Sequence, residues 1–277
     1  MKFHYFTYFL NPIKQGQLFP DKRSKKEILS SILSQNLEYS YRKSRLAYVF
    51  VRQDGDYIIA RLGRKSSIKK SLPPEEKFRE THEEHWPHCE LLFNLSEDSE
   101  KGQKIAFEYR GDVFQNPLFQ LRGFAEELNI KLFGTGYLLS INPVTIEQKF
   151  WELVKRHENK IQKLTLIFNT PNLFDLKNKL SGDLKDIQKT YSATRTSIAL
   201  ENTAGSIVVP ENADLIKQGV DYIRRGGGEY HLHIRGKGLR VIKSTNNTVT
   251  KSFDELEVNL KTENKDELLK TLEKIIT

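Results

Sequence analysis

Leu46-Ala47-Tyr48-Val49-Phe50-Val51, then Asp54-Gly55, then Tyr57-Ile58-Ile59-Ala60, is the stretch that decides the fold. Two runs rich in β-branched and aromatic residues flank an Asp-Gly pair. That pair readily takes the backbone angles of a two-residue hairpin turn. The chain therefore doubles back antiparallel at this point. Similar runs lie on either side. Lys2 to Leu10 alternates polar with apolar residues and breaks at Asn11-Pro12; it reads as a strand and not as a signal peptide, lacking a small-residue cleavage site. Glu90 to Leu95 and Lys104 to Tyr109 are two more strands, joined by the polar stretch Ser96 to Gly102. Ser71 to Glu84 is polar, acidic and carries Pro73-Pro74, which predicts a loop.

Helical signals are fewer in this half. Lys25 to Leu33 places Ile28, Leu29, Ile32 and Leu33 on one stripe. Pro117 to Leu132 follows Asn116, a good N-cap, with proline at the first helical position. Tyr137 to Ile141 is a strand stopped at Pro143. A domain boundary falls near residues 143–160, giving a basic, β-rich unit over 1–145 and a second unit over 146–277. In the second unit, Ile146 to His157 is helical, Leu164 to Phe168 extended, and Leu173 to Tyr191 helical. Strands at Arg195–Leu200 and Ser206–Val209, a helix over Ala213–Arg225 and a strand over Tyr230–Ile234 complete a β-α-β-β-α-β order. The expected class is α+β, with a ferredoxin-like C-terminal half. Leu239 to Lys243 and Val249 to Phe253 add short strands, and Lys265 to Ile276 is an amphipathic helix.

The 277 residues carry a formal net charge of +8. Its distribution is uneven: residues 1–72 hold 15 Lys/Arg against 5 Asp/Glu, and residues 73–103 hold 3 against 9. A basic end of this kind attracts polyanions; solvated lysines of a Lys-rich composition are the bland alternative. No apolar run approaches the length of a spanning helix, so no membrane partner is expected. The single cysteine excludes an intrachain disulfide, which fits a cytoplasmic protein. The chain has no phosphate-binding P-loop, dinucleotide fingerprint, nucleophile elbow or HExxH zinc motif.

Three constellations remain. His82, His85, His88 and Cys89 fall within eight residues and are zinc-ligand types, but no second ligand pair follows. The alternative is a polar loop leading into a strand. Arg224-Arg225-Gly226-Gly227-Gly228, with Tyr230, His231, His233, Arg235 and Lys237, offers phosphate contacts, a stacking ring and a glycine backbone that a ligand can approach. Its alternative is a helix cap. The third is the basic set Lys22, Arg23, Lys25, Lys26, Arg42, Lys43, Arg45, Arg61, Arg64, Lys65, Lys69 and Lys70, with Tyr39, Tyr41 and Tyr48 interleaved. Carboxylates such as Glu108, near Arg110, find no firm partner acid for a metal nuclease.

The stretch Phe150-Trp151-Glu152, Lys160-Ile161, Leu164 to Phe168 and Asn169-Thr170-Pro171-Asn172-Leu173-Phe174, with Tyr222 to Gly228, resembles uncharacterised bacterial families found in phage-defence islands. The likeness spans roughly residues 105–235 and rests on structural motifs. It implies a cytosolic bacterial accessory or defence protein and carries over no active site. The leading expectation is thus a nucleic-acid-binding component, RNA or DNA, of an anti-phage or mobile-element system, with no cofactor. A metal-dependent nuclease using a divalent metal is the first alternative. A protein-interaction module, docking a partner or a second copy through the C-terminal helix, is the other.

Overall fold

The computed structural model describes residues 1–13, 23–96, 103–169, 179–236, 238, 240–254 and 258–276. The start of the expected helix at Leu173, most of the polar stretch after Ser96, and Lys22 and Lys237 lie outside the described residues. The chain is mixed α+β, with antiparallel sheets throughout.

The Asp54-Gly55 turn joins β3 (Ser44–Asp54) to β4 (Tyr57–Arg64), as its sequence predicts. Around this hairpin an eight-stranded sheet adds β1 (Lys2–Pro12), β2 (Leu37–Tyr41), β7 (His88–Asn94), β8 (Lys104–Glu108), β9 (Tyr137–Pro143) and β14 (Thr250–Ser252). Its order is β14-β1-β8-β7-β4-β3-β2, and β9 pairs with the second half of β1. The strand period of two splits these residues between two cores. Tyr8, Leu46, Tyr48, Leu62, Phe93 and Phe107 pack beneath α1 (Lys25–Leu33) and α2 (Pro117–Lys131). Phe3, Tyr5, Ile59, Leu92 and Ala106 face the other way, against α6 (Lys265–Ile276).

Two expectations change here. The segment read as a loop at Ser71–Glu84 is a loop only over residues 72–79; its ends belong to a two-stranded ribbon, β5 (Ser66–Ser71) and β6 (Glu80–His85). Its strands are charged on both faces, so it carries none of the apolar alternation that betrays a half-buried strand. The C-terminal segment, expected within the second unit, returns to the first. β14 pairs with β1, and Leu268, Leu272 and Ile275 fill the core above Phe3 and Tyr5. Amphipathicity shows that α6 must bury a face; it does not say against which sheet.

The second sheet runs β11-β10-β12-β13, from β10 (Ile161–Asn169), β11 (Arg195–Glu201), β12 (Gly228–Ile234) and β13 (Arg240–Lys243). One face is covered by α3 (Glu147–Arg156), α4 (Lys179–Tyr191) and α5 (Asp214–Tyr222), through Phe150, Leu184, Ile216 and Val220. The predicted strand at Ser206–Val209 does not form, so the β-α-β-β-α-β order is interrupted. Asn202 accepts from the Ala204 and Gly205 amides and donates to the Ser206 carbonyl, a turn after which, among the described residues, only the Ile207 amide bonds to β10, at the Ile161 carbonyl. Val209 then packs while Val208 is left exposed.

Candidate nucleic-acid interface

Charges distant in sequence are brought together by register. At the ribbon, Lys65, Lys69 and Lys70 of the expected basic set meet Glu84, Glu80 and Glu83 of the expected acidic loop. Exposed ion pairs contribute only ~0–1 kcal/mol each. They therefore do little for stability, yet they cancel the field that recommended these lysines. Arg61 is held too: its Nε donates to Glu90 at 2.9 Å. Glu90 lies beside Glu108, whose carboxyl burial raises above the usual range and whose Oε2 accepts from the Glu90 amide at 2.9 Å. Arg61 thus compensates a half-buried acid pair.

The Arg224–Gly228 segment serves the join between the two sheets. Asp221 takes Arg224 at 2.7 Å and Arg225 at 3.2 Å, and Glu147 lies 3.3 Å from Arg224. The Arg224 carbonyl accepts from the Thr145 amide, and the Arg225 carbonyl accepts from the Thr7 hydroxyl of β1. A Cβ on Gly226 would overlap Thr7, one on Gly227 the Tyr222 ring, and one on Gly228 the Ile167 carbonyl. The close approach that three glycines permit is made to the protein's own chain. Tyr230 is 1% exposed, so its ring offers no stacking surface; its hydroxyl accepts from Asn247 instead.

His231 and His233 share the open face of the second sheet, as the strand period predicts. His231 lies between Thr165 and Lys243, and His233 between Lys163 and Val241. Burial, then Lys243, pulls the His231 imidazole below its ordinary pKa against the opposing pull of Glu229. Most cations of this face are matched: Glu201 pairs with Lys163, and Glu229 with Arg195. Arg235 is exposed beyond the end of the strand.

The proposed zinc ligands do not converge. His82 sits on the ribbon near Ser67, and His88 opens β7. Cys89 is fully buried in the main core, its thiol pushed up to about 12 by burial. Among the described residues no three His, Cys, Asp or Glu side chains are placed to hold a metal ion.

What remains is a basic rim. Antiparallel order brings the start of β1, the end of β8, the start of β7, the end of β4, the start of β3 and the end of β2 to one end of the first sheet. Lys2, Arg110, Arg64, Lys65, Arg45, Lys43 and Arg42 line that end. Lys43, Arg45, Arg64 and Lys65 surround a depression of about 410 Å³ with Ser44 and Ser66. Glu38 pairs with Arg45, Glu84 with Lys65, and Asp112 with Arg110. Among the described residues, Lys2, Arg42, Lys43 and Arg64 have no carboxylate partner. The Arg64 Nε is buried without a hydrogen bond, and Arg42 lies over the Phe119 ring at 4.6 Å. Lys2 and Arg110 were not among the sequence candidates. They join the rim only through sheet order, for which no local signal exists.

Fold and rim together define an antiparallel α+β protein with a cationic sheet edge that is only partly compensated among the described residues. No family model, curated protein or solved structure matches the chain.

Proposed function

We propose that the protein is a nucleic-acid-binding component whose phosphate contacts are made by the rim of the first sheet. One observation carries this reading: the convergence at one sheet end of seven cations, of which Lys2, Arg42, Lys43 and Arg64 have no carboxylate partner among the described residues. Phosphate oxygens would meet Lys43, Arg45 and Arg64 in the same depression. Such contacts give affinity without reading a base sequence. The bacterial defence or mobile-element setting is the one that the resemblance of residues 105–235 implies. A nuclease reading has no comparable donor set among the described residues. The test is a titration of labelled single-stranded RNA, single-stranded DNA and duplex DNA at two salt concentrations with a chelator present. Binding that weakens steeply with salt supports the proposal. Absence of binding to all three at low salt contradicts it.

A further inference from the structure

Beside the rim lies a cleft of about 480 Å³. One wall is the first sheet, with Lys2 and His4 on β1 and Tyr109 just beyond β8. Beside β1 the lining continues with Thr245, Asn246, Thr248 and Thr250, from the segment that carries the chain back from the second sheet into β14. Gln115 and Asn116, ahead of α2, line it as well.

The chemistry of these walls is specific. His4 and Tyr109 form a tilted ring pair, with centroids 4.9 Å apart and planes at 38°. Lys2 lies 5.5 Å from the centre of the Tyr109 ring. Tyr109 is 36% exposed, so its ring remains partly open. The remaining polar groups are uncharged amides and hydroxyls, and no carboxylate lines the space. Asparagine and glutamine amides present a donor and an acceptor together, the pairing that suits base edges. Aromatic faces stack on any base. The wall at 245–250 is also held in place: buried Ser244 accepts from the Tyr230 amide at 3.1 Å, and Asn247 donates to the Tyr230 hydroxyl at 3.3 Å. A preformed, amide-lined cleft with a ring at its edge is of a size that accepts small ligands.

We infer that this cleft receives an unpaired nucleobase, so that the ligand of the rim is single-stranded nucleic acid or a frayed strand end. The inference rests on the nucleic-acid reading of the rim. A paired base cannot enter, because its edge and faces are already occupied in the duplex. Lys2, shared by rim and cleft, would contact the phosphate next to the inserted base.

The test measures binding of a single-stranded oligonucleotide and a blunt duplex of equal length, at fixed salt, for three proteins: wild type, Tyr109→Leu and Asn246→Ala. These substitutions stand on different segments of the chain, so a folding defect in one does not remove the other. Wild type should prefer the single strand. Tyr109→Leu should weaken that binding by about 5- to 150-fold, the range for loss of one stacked base, while duplex binding and the salt dependence stay unchanged. Asn246→Ala should reduce the same preference. Single-strand binding unaltered in both variants, or a wild type indifferent to strandedness, overturns the cleft and leaves the rim standing. A wild type that binds neither ligand overturns the rim reading itself.

Discussion

Gly226 shows how a functional signature and a packing device can look alike. Its φ of 86° is open to glycine at little cost, and its missing Cβ is what lets Thr7 approach. Gly55 in the β3–β4 turn has a comparable φ of 59° but open space around it. Gly55→Ala should therefore cost about 1 kcal/mol, the left-handed term alone. Gly226→Ala should cost more, about 2–4 kcal/mol in denaturant unfolding, because it adds overlap to strain. Equal costs would mean that the contact with Thr7 is loose. Cys89 makes a simpler case. Burial disfavours its thiolate, so a thiol reagent at neutral pH should label it only after unfolding; rapid labelling of the native protein would contradict that placement. His231 links site chemistry to stability. Its pKa is lower in the folded than in the unfolded chain, so the folded state takes up this proton later as pH falls. The contribution is complete above the unfolded value of about 6.5 and is lost as pH drops through the window below it. His231→Gln should flatten the fall in melting temperature between about pH 7.5 and 5.5. An unchanged fall would place that dependence elsewhere, His4 being the next candidate, since burial and Lys2 lower its pKa too.

Elements differed in how openly the sequence declared them. The β3–β4 hairpin, α1 and α2 were legible because a turn pair, a helical stripe and an N-cap are local signals. The β5–β6 ribbon was not, because it buries almost nothing: its residues are mostly exposed and its order comes from cross-strand pairing. The same ribbon explains why the charge asymmetry misled. Lysines before Leu72 and glutamates after Pro74 lie far apart on a linear map, yet they are partners once the strands pair. α6 was legible as a helix but not as a lid on the first sheet. Leu272 is fully buried there, so Leu272→Ala should cost about 2–5 kcal/mol. A cost near zero would indicate that α6 does not pack on Phe3 and Tyr5.

Across the whole molecule, the candidate site was half legible. Arg64 and Lys65 stood out as basic residues, but the rim also needs Lys2 and Arg110, and their approach depends on the non-local order β1-β8-β7-β4-β3-β2. Composition reports how many charges a chain has; only topology reports which of them remain uncompensated. Arg224 and Arg225, prominent in sequence, lie beside carboxylates at the join of the two sheets, so their loss should register in stability before binding. The central claim is therefore that the rim, and not the ribbon, meets phosphate. The most direct measurement is the salt dependence of single-strand binding for Lys43→Ala/Arg64→Ala and for Lys69→Ala/Lys70→Ala, each against wild type. Each lost phosphate contact removes about 0.7 from the slope of log affinity against log salt on a single strand. The rim variant should therefore lower the slope by about 1.4, while the ribbon variant leaves it unchanged. The opposite pattern, with the ribbon variant alone lowering the slope, would contradict the account.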